Sequence, residues 1–289
     1  MRILQIGNFE PPHSTENELR DALMRLGVEL ALVQEKDPDD WREAIPALKH
    51  QAVDMVLWTH TPGFQRDIGT EPQYRMLDVA RRRGIPTVAY HLDRYWDLGP
   101  ERAEVLTRPF FSCDWVFTAD GGHQDLFEDA GIHHHWMPPA INERYCYLAE
   151  PDAKYECDIV FVGGWSGYNH REWTHREELI ERVCQWYGDR FLCLPKAGKP
   201  RITMDELNKV YASAKVVLGD SCLVPRKDGT PVTHYCSDRI PETLGRGGLL
   251  VHPSVEGIDK LYERAFHWDL GDWTGLHELL DVLIEADAD

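Results

Sequence analysis

The sequence predicts an α/β fold made of two Rossmann-like domains that face a central cleft. Short apolar runs alternate with amphipathic segments of helical spacing, and this alternation stops at a polar segment before it begins again. The chain has 289 residues, which is enough for two domains with separate cores. Alternating strands and helices form parallel sheets, and ligands bind such sheets outside the carboxyl ends of the strands.

The first half of the chain contains the elements of one domain, for which we expect residues 1–148. The apolar run Arg2–Gly7 predicts a buried strand, and residues 15–18 have the pattern of a capping box that opens a helix. Further strands are predicted at residues 28–33, 53–58, 86–90, 115–118 and 132–137, and further helices at 71–83 and 124–130.

The second half of the chain repeats the alternation of predicted strands and helices. Residues 149–156 are polar and contain Pro151, which is typical of a linker, and residues 157–289 form the predicted second domain. Its first strand is followed at once by Gly163 and Gly164. Capping-box patterns at residues 174–177 and 203–206 open two helices, strands are predicted at 158–162, 191–194, 215–219 and 248–252, and a short helix at 239–244.

The composition argues against several classes of protein. Lys and Arg number 31 and Asp and Glu 49, so the formal charge of −18 opposes loose binding to nucleic acid or anionic membranes. The seven cysteines form no C-x-x-C pair, which argues against a disulfide framework and indicates a reducing compartment. No signal-peptide core or 18-residue uncharged apolar window is found, so we expect a cytoplasmic protein without a membrane span.

The most informative stretch is residues 237–251, SDRIPETLGRGGLLV. A helix N-terminus carries partial positive charge and unsatisfied N–H donors, so Ser237 and Arg239 at the predicted helix start indicate a diphosphate site. Glu242, one turn further on, can accept hydrogen bonds from two vicinal ribose hydroxyls. A solvated helix that ends in a glycine C-cap would give the same local pattern.

Several motifs resemble the nucleotide-sugar domain of GT-B glycosyltransferases, and most closely the group related to spore-maturation-type proteins. The resemblance rests on the glycine pair 163–164 after a strand, on ELNKVYASAKVVLG at 206–219, and on Arg-x-x-Glu-(x4)-Gly-Gly at 239–248. The resemblance implies a GT-B architecture and sugar transfer from a nucleoside diphosphate to an acceptor hydroxyl. In the first half, the matching segments are residues 90–93, 114–118 and 138–140.

The resemblance also implies roles for single residues. Glu242 matches the acid that holds the donor ribose, Ser237 and Arg239 match the diphosphate contacts, and Arg176 matches a basic residue that neutralises phosphate. Gly163 and Gly164 belong to the same donor site. A UDP-sugar is the favoured donor, and a GDP-sugar is the alternative. Many retaining relatives carry a second glutamate eight positions before Glu242, where this chain has His234, so the donor sugar and the stereochemical outcome stay open.

We expect neither a cofactor nor a metal ion. Arg176, Arg239 and the helix dipole can stabilise the leaving diphosphate in place of a divalent cation. The histidine run 133–135 is not expected to form a metal site, because consecutive residues of a strand alternate faces and cannot all reach one ion.

The acceptor side of the expected cleft contains a histidine and an aspartate after a predicted strand. His91 and Asp93 can position the acceptor hydroxyl or take its proton, with His91 as the preferred base. Asn8, Glu10 and His13 lie in the first loop, where the resemblance implies contacts with the acceptor or the diphosphate. A packed histidine and a polar surface loop are the structural alternatives.

Three other functions remain compatible with the sequence. A viral-type transferase acting on hydroxymethylated DNA bases is opposed by the acidic charge. A non-catalytic nucleotide or sugar sensor is consistent with the histidine at position 234. A dinucleotide-dependent oxidoreductase is least favoured, because no G-x-G-x-x-G follows the first strand. The acceptor can be a small molecule, a glycan or modified DNA.

Overall fold

The computed structural model describes residues 1–12, 14–50, 52–59, 71–94, 96–98, 108–164, 173–195 and 202–286. The chain divides into two compact units. Unit 1 comprises Met1–Trp96 and Pro100–Met137, and unit 2 comprises Asp97–Gly99 and Pro138–Asp289. Within the described residues, no helix combines the length and the apolar character that crossing a bilayer requires.

Unit 1 is built on a six-stranded parallel sheet with the order β2-β1-β3-β4-β5-β6. Its strands are β1 (Arg2–Gly7), β2 (Glu29–Gln34), β3 (Met55–Thr59), β4 (Thr87–His91), β5 (Trp115–Thr118) and β6 (His134–Trp136). The described helices are α1 (Thr15–Arg25), α2 (Pro38–His50), α3 (Glu71–Arg82) and α4 (Gln124–Asp129).

Helices cover both faces of this sheet because strand residues alternate between two cores. On one face, Leu4 and Ile6 pack with Trp41 of α2 and Met76 of α3. On the other face, Ile3 and its neighbours pack with apolar residues of α1. The strand order reverses between β1 and β3, which makes their carboxyl ends the ligand-binding edge of a doubly wound sheet.

Unit 2 contains a five-stranded parallel sheet with the order β11-β10-β9-β7-β8. Its strands are β7 (Cys157–Val162), β8 (Phe191–Leu194), β9 (Ala214–Leu218), β10 (Leu250–Pro253) and β11 (Phe266–Trp268). The described helices are α5 (His175–Tyr187), α6 (Met204–Ala212), α7 (Arg239–Gly245) and α8 (Trp273–Ala286). The order reverses between β7 and β9, so those two strands form the switch point of this sheet.

The two cores of unit 2 follow the same alternation. Ile159 and Phe161 of β7 pack with α5 and α8, whereas Val160 packs with α6. The two parallel sheets with helices on both faces confirm the predicted α/β class and the Rossmann-like character of both halves. The prediction did not include α2 or β11.

The helix starts differ in detail from the predicted capping boxes. Ser14, one residue earlier than predicted, caps α1, and its hydroxyl accepts a hydrogen bond from the Asn17 backbone N–H at 3.2 Å. Thr203 caps α6 as predicted, with its side chain accepting from the Glu206 N–H. Thr174 precedes α5 without a side-chain cap bond.

The division into units also differs from the expected boundary at residue 148, because residues 138–148 belong to unit 2. The Asn208 side-chain amide in α6 donates to the carbonyl oxygens of Tyr145 and Tyr147, both at 2.8 Å. The expected linker at residues 149–156 is likewise attached, since the Asp152 N–H donates to Ser213 Oγ at 2.7 Å and the Tyr155 ring is buried. These bonds fix the preceding segment to unit 2.

Candidate functional site

The carboxyl edge of the unit 2 sheet brings most of the predicted donor-site residues together. Gly163 and Gly164 follow β7, and Gly219 and Asp220 follow β9, its neighbour in the sheet. The two strands lie at the switch point of the sheet, and doubly wound sheets in general bind ligands outside the strand ends at such a point.

Asp220 is the buried anion of this edge. Its Oδ2 accepts from Arg176 Nε at 2.7 Å and from Trp173 Nε1 at 3.1 Å, and its Oδ1 lies 3.6 Å from His175 Nδ1. Burial alone would raise the pKa of Asp220, but His175 and the Arg176 guanidinium outweigh it and hold the pKa below its usual value. Asp220 is therefore a carboxylate that partly neutralises the cation predicted to face phosphate.

Arg176 also connects two segments of the site. Its Nη1 donates to the Gly164 carbonyl oxygen at 3.2 Å, while the side chain is almost completely buried at the start of α5. The resemblance placed Arg176 and the glycine pair in one expected donor site, but the ion pair of Arg176 with Asp220 was not predicted. Its role towards phosphate stays a prediction.

Arg239 lies on the other side of the same glycine turn. Its Nε donates to the Val162 carbonyl oxygen at 2.9 Å, and its guanidinium lies 5.7 Å from the centre of the Phe161 ring. A Cβ added to Gly163 would come within 3.0 Å of Nε, so a larger residue there would force the Arg239 side chain to shift. Among the described residues no carboxylate pairs with Arg239, which leaves a half-buried positive charge at the end of β7.

Ser237 is held by a buried hydrogen-bond network. Its hydroxyl donates to the Asp220 carbonyl oxygen at 3.2 Å, and its N–H donates to Ser221 Oγ at 2.9 Å. Ser221 Oγ lies 2.8 Å from His252 Nε2, and His252 Nδ1 lies 2.8 Å from the Pro253 carbonyl oxygen. Because a carbonyl only accepts, Nδ1 carries the proton and Nε2 accepts from Ser221. Burial lowers the pKa of His252 to about 4, so this network contains a neutral imidazole.

Glu242 is half-buried on α7, one turn after Arg239. Its backbone carbonyl accepts from Arg246 Nη1 at 3.2 Å, and Arg246 Nε donates to Asn208 Oδ1 at 2.9 Å. Burial raises the pKa of Tyr211, and the nearby Glu242 carboxylate raises it further. The α6–α7 contact thus fixes the backbone that carries Glu242.

His234, which stands where many relatives have an acid, has a left-handed backbone with φ of 50°. Its N–H donates to the Glu256 carbonyl oxygen at 2.7 Å, and its ring packs against Gly257. A positive φ is uncommon for residues other than glycine and is held here by this hydrogen bond.

The predicted acceptor residues in the first loop of unit 1 lie in different surroundings. Asn8 is buried, and its Oδ1 accepts from Gln34 Nε2 at 3.1 Å. Glu10 is exposed and forms an ion pair with Lys36 at 3.0 Å. His13 lies outside the described residues. Asn8 therefore links the ends of β1 and β2, whereas Glu10 lies on the surface.

His91 and Asp93 lie at and just beyond the carboxyl end of β4. His91 is buried, with its ring edge-on to Phe110 at a centroid distance of 6.2 Å, and its carbonyl oxygen accepts from the Ala119 N–H at 3.1 Å. Asp93 is exposed. Both lie at the carboxyl end of a strand, as the preceding apolar run predicted, and their role towards an acceptor stays a prediction.

A buried aspartate–histidine pair at the end of β5 was not predicted. His123 Nδ1 lies 2.7 Å from Asp120 Oδ1 and 2.9 Å from Oδ2, and both side chains are fully buried. The Asp120 N–H donates to Thr118 Oγ1 at 3.0 Å. The signal was present as Asp-Gly-Gly-His at residues 120–123, one residue beyond the predicted strand 115–118 and comparable to the position of His91 after its strand.

Comparison with known proteins identifies the fold. No family model and no curated protein matches the chain. Among solved structures, AviGT4, a glycosyltransferase involved in avilamycin A biosynthesis, matches with a TM-score of 0.53 and 12% identity over 99% of this chain and 88% of its own. MurG from Acinetobacter baumannii, also 12% identical, covers 100% of this chain and 90% of its own, with a TM-score of only 0.35.

The match to AviGT4, together with the two parallel sheets, shows that the chain has the GT-B fold. The predicted likeness to spore-maturation-type proteins has no support from these matches and stays a prediction.

Proposed function

We propose that the chain is a glycosyltransferase that moves a sugar from a nucleoside diphosphate to an acceptor hydroxyl, and that unit 2 binds the donor. The observation that carries the proposal is the half-buried Arg239 guanidinium at the end of β7, without a carboxylate partner among the described residues. A partly desolvated cation at the switch point of a doubly wound sheet is suited to a diphosphate.

The proposed chemistry follows from charge. When the bond between the sugar and the diphosphate breaks, negative charge grows on the leaving phosphate, and a fixed cation lowers the energy of that transition state. Arg239 supplies this charge from within the chain, so the proposal requires no divalent ion. The Val162 carbonyl holds Arg239, and the Asp220 carbonyl and the Ser221–His252 network hold Ser237, before the donor arrives.

For the rest of the donor, we propose that Glu242 accepts hydrogen bonds from the ribose hydroxyls, with UDP as the favoured nucleotide and GDP as the alternative. On unit 1, His91 is the proposed base for the acceptor hydroxyl and Asp93 the carboxylate that helps to position it, and Asn8, Glu10 and His13 are the proposed acceptor contacts. The acceptor is proposed to be a small molecule or a glycan, because the charge of −18 disfavours DNA.

Isothermal titration of the chain with UDP, GDP and dTDP tests the donor site. A hydrogen bond to a charged group contributes about 1.5–3 kcal/mol, so Glu242→Ala and Arg239→Ala should each weaken binding of the preferred nucleotide by about 10–100-fold. Glu285→Ala, which removes an exposed carboxylate on α8, is the control and should bind like the wild type. Thermal unfolding of every variant checks that the fold is retained.

Absence of binding by all three nucleotides, or equal affinity of the wild type and Glu242→Ala, would reject this donor site. Mass spectrometry with UDP-sugars and a panel of acceptors then separates an enzyme from a sensor. A transferase releases UDP and adds the sugar mass to an acceptor, whereas a protein that only binds leaves the donor intact.

A further inference from the structure

The outer edge of the unit 1 sheet presents two histidines side by side. His133 directly precedes the edge strand β6 and His135 lies within it, and both side chains are exposed. Their ring centres are 4.7 Å apart, with the ring planes inclined at 59°. His134 lies between them on the opposite face, where its ring stacks on Phe127 at 3.9 Å.

The distance between the two rings fits chelation of a metal ion. An imidazole nitrogen lies about 2.0–2.1 Å from a bound zinc ion, and two imidazoles on one tetrahedral ion therefore have ring centres about 5 Å apart. The observed separation of 4.7 Å agrees with this geometry. Residues two apart along a strand share a face, so the backbone itself holds both rings on one side.

Neighbouring groups orient the two rings. His133 Nδ1 lies 3.2 Å from the Asp114 carbonyl oxygen, and because a carbonyl only accepts, Nδ1 carries the proton and Nε2 keeps its lone pair. Metal-binding histidines commonly donate their second nitrogen to a carbonyl in this way. The His135 ring stacks on Phe117 with a centroid distance of 5.2 Å.

The run 133–135 as a whole was not expected to bind a metal, and His134 does face away, but we propose that His133 and His135 alone chelate one divalent transition-metal ion on the exposed edge of unit 1. Imidazole nitrogens select copper, nickel and zinc over magnesium and calcium, and copper binds such sites most tightly. Because no group of three or more His, Cys, Asp and Glu side chains suited to a metal occurs in the described part of the chain, water or an added ligand completes the coordination. This site is separate from the proposed donor site and does not depend on it.

Titration of the untagged full chain with Ni²⁺ tests the proposal by calorimetry. Nickel is preferred to copper as the probe because Cys146 and Cys184 are exposed thiols that can reduce Cu²⁺. We expect one equivalent to bind, with affinity falling more than tenfold in His133→Ala and in His135→Ala, since each removes one of two ligands. His50→Ala, which removes an exposed histidine at the end of α2, is the matched control and should leave binding unchanged.

Further outcomes decide the assignment. The double variant should bind no more weakly than either single variant, because one remaining imidazole cannot chelate. Nickel should also broaden the ring resonances of His133 and His135 before those of other histidines. Absence of nickel binding, or equal affinity in the wild type and both single variants, would overturn the proposal. Thermal unfolding temperatures equal to the wild type show that the variants are folded, as expected for exposed side chains.

Discussion

Three arginines of unit 2 differ in how their charge is balanced. Arg176 faces the fully buried Asp220 carboxylate, Arg246 donates to neutral acceptors on Asn208 and Glu242, and Arg239 donates one hydrogen bond to a carbonyl. Removing one partner of a buried ion pair costs about 3–5 kcal/mol of folding stability. The Arg176 charge is therefore already used in its ion pair with Asp220. Arg239 has no ion pair with a carboxylate among the described residues, which makes it the cation best suited to bind an anionic ligand.

Also at the scale of single residues, His252 should make the free energy of unfolding of the chain depend on pH. Its folded pKa is about 4, lowered by burial, whereas an unfolded histidine has a pKa of about 6.5. Above pH 6.5 neither state binds the proton. As the pH falls towards 4, the unfolded chain binds a proton that the folded chain excludes, so His252 should lower the free energy of unfolding by about 2 kcal/mol between pH 7 and pH 5.

Urea unfolding at a series of pH values, with wild type and His252→Asn, measures this contribution. Asparagine does not titrate and keeps an N–H donor for Pro253, so the variant should lose less stability on acidification. His134 has the same lowered pKa, about 4, from burial in unit 1 and supplies a second, independent loss in both proteins. A folded-state NMR titration in which the His252 ring takes up its proton near pH 6.5 would contradict the prediction.

Single residues show where sequence reasoning succeeds and where it stops. A position at a strand end was enough to place His91, Gly163 and Gly164 at the carboxyl edge of a sheet, whereas Ser237 was singled out by the helix that starts after it. The partner of Arg176 was not predictable, because Asp220 is 44 residues away in the sequence and meets it only through the β7–β9 pairing.

At the scale of elements, β7 and α7 are joined by the contact between Gly163 and Arg239. A methyl group at position 163 would enter the space of the guanidinium, so the Arg239 side chain would have to shift from the position in which it bonds Val162. Overpacking of this kind costs about 1–3 kcal/mol, so Gly163→Ala should lower stability and weaken nucleotide binding. In an Arg239→Ala background, Gly163→Ala should lower the free energy of unfolding by less. The loss that remains measures the cost of placing alanine at the φ of 157° found at Gly163.

A double-mutant cycle with thermal or urea unfolding measures this coupling. Gly164→Ala serves as the stability control, because a Cβ there meets no atom of the described residues within 4 Å. If Gly163→Ala destabilises both backgrounds equally, Arg239 does not occupy the space beside the glycine.

Elements with regular spacing were predicted, and irregular elements were missed. Helix α2 contains Pro46 in its interior, which removes one backbone donor and argues against a helix in any pattern-based prediction. Its tertiary contacts through Trp41 and Leu48 outweigh that local cost. Strand β11 has only three residues, which is too short for alternation to be visible.

For the whole molecule, the position of the boundary between the units has consequences for stability. Residues 138–148 are attached to unit 2 through Asn208 and through the Tyr145 ring, whose centre lies 5.3 Å from the Arg246 guanidinium. A fragment of residues 138–289 should therefore unfold cooperatively, whereas one of residues 149–289 leaves Asn208 and Arg246 without these partners. Each buried polar group left unsatisfied costs about 1–3 kcal/mol.

Urea unfolding followed by circular dichroism compares the two fragments. Asn208→Ala in the longer fragment is the intermediate case and should lose part of the difference. Equal stability of both fragments would show that residues 138–148 contribute nothing to unit 2. The sequence predicted a later boundary because Pro151 and its polar neighbours form a recognisable linker pattern. The hydrogen bonds that attach the earlier segment go to the backbone carbonyls of Tyr145 and Tyr147, and any residue at those positions would offer the same acceptor.

The buried pair of Arg176 and Asp220 also constrains how the chain can change over evolution. Substitution of either residue alone leaves an unpaired charge in the interior, which destabilises the fold. A lineage in which one of the two residues changes must therefore change the other soon afterwards. Among descendants of this sequence, we expect the two positions to be inherited together or exchanged together for an uncharged couple of similar size.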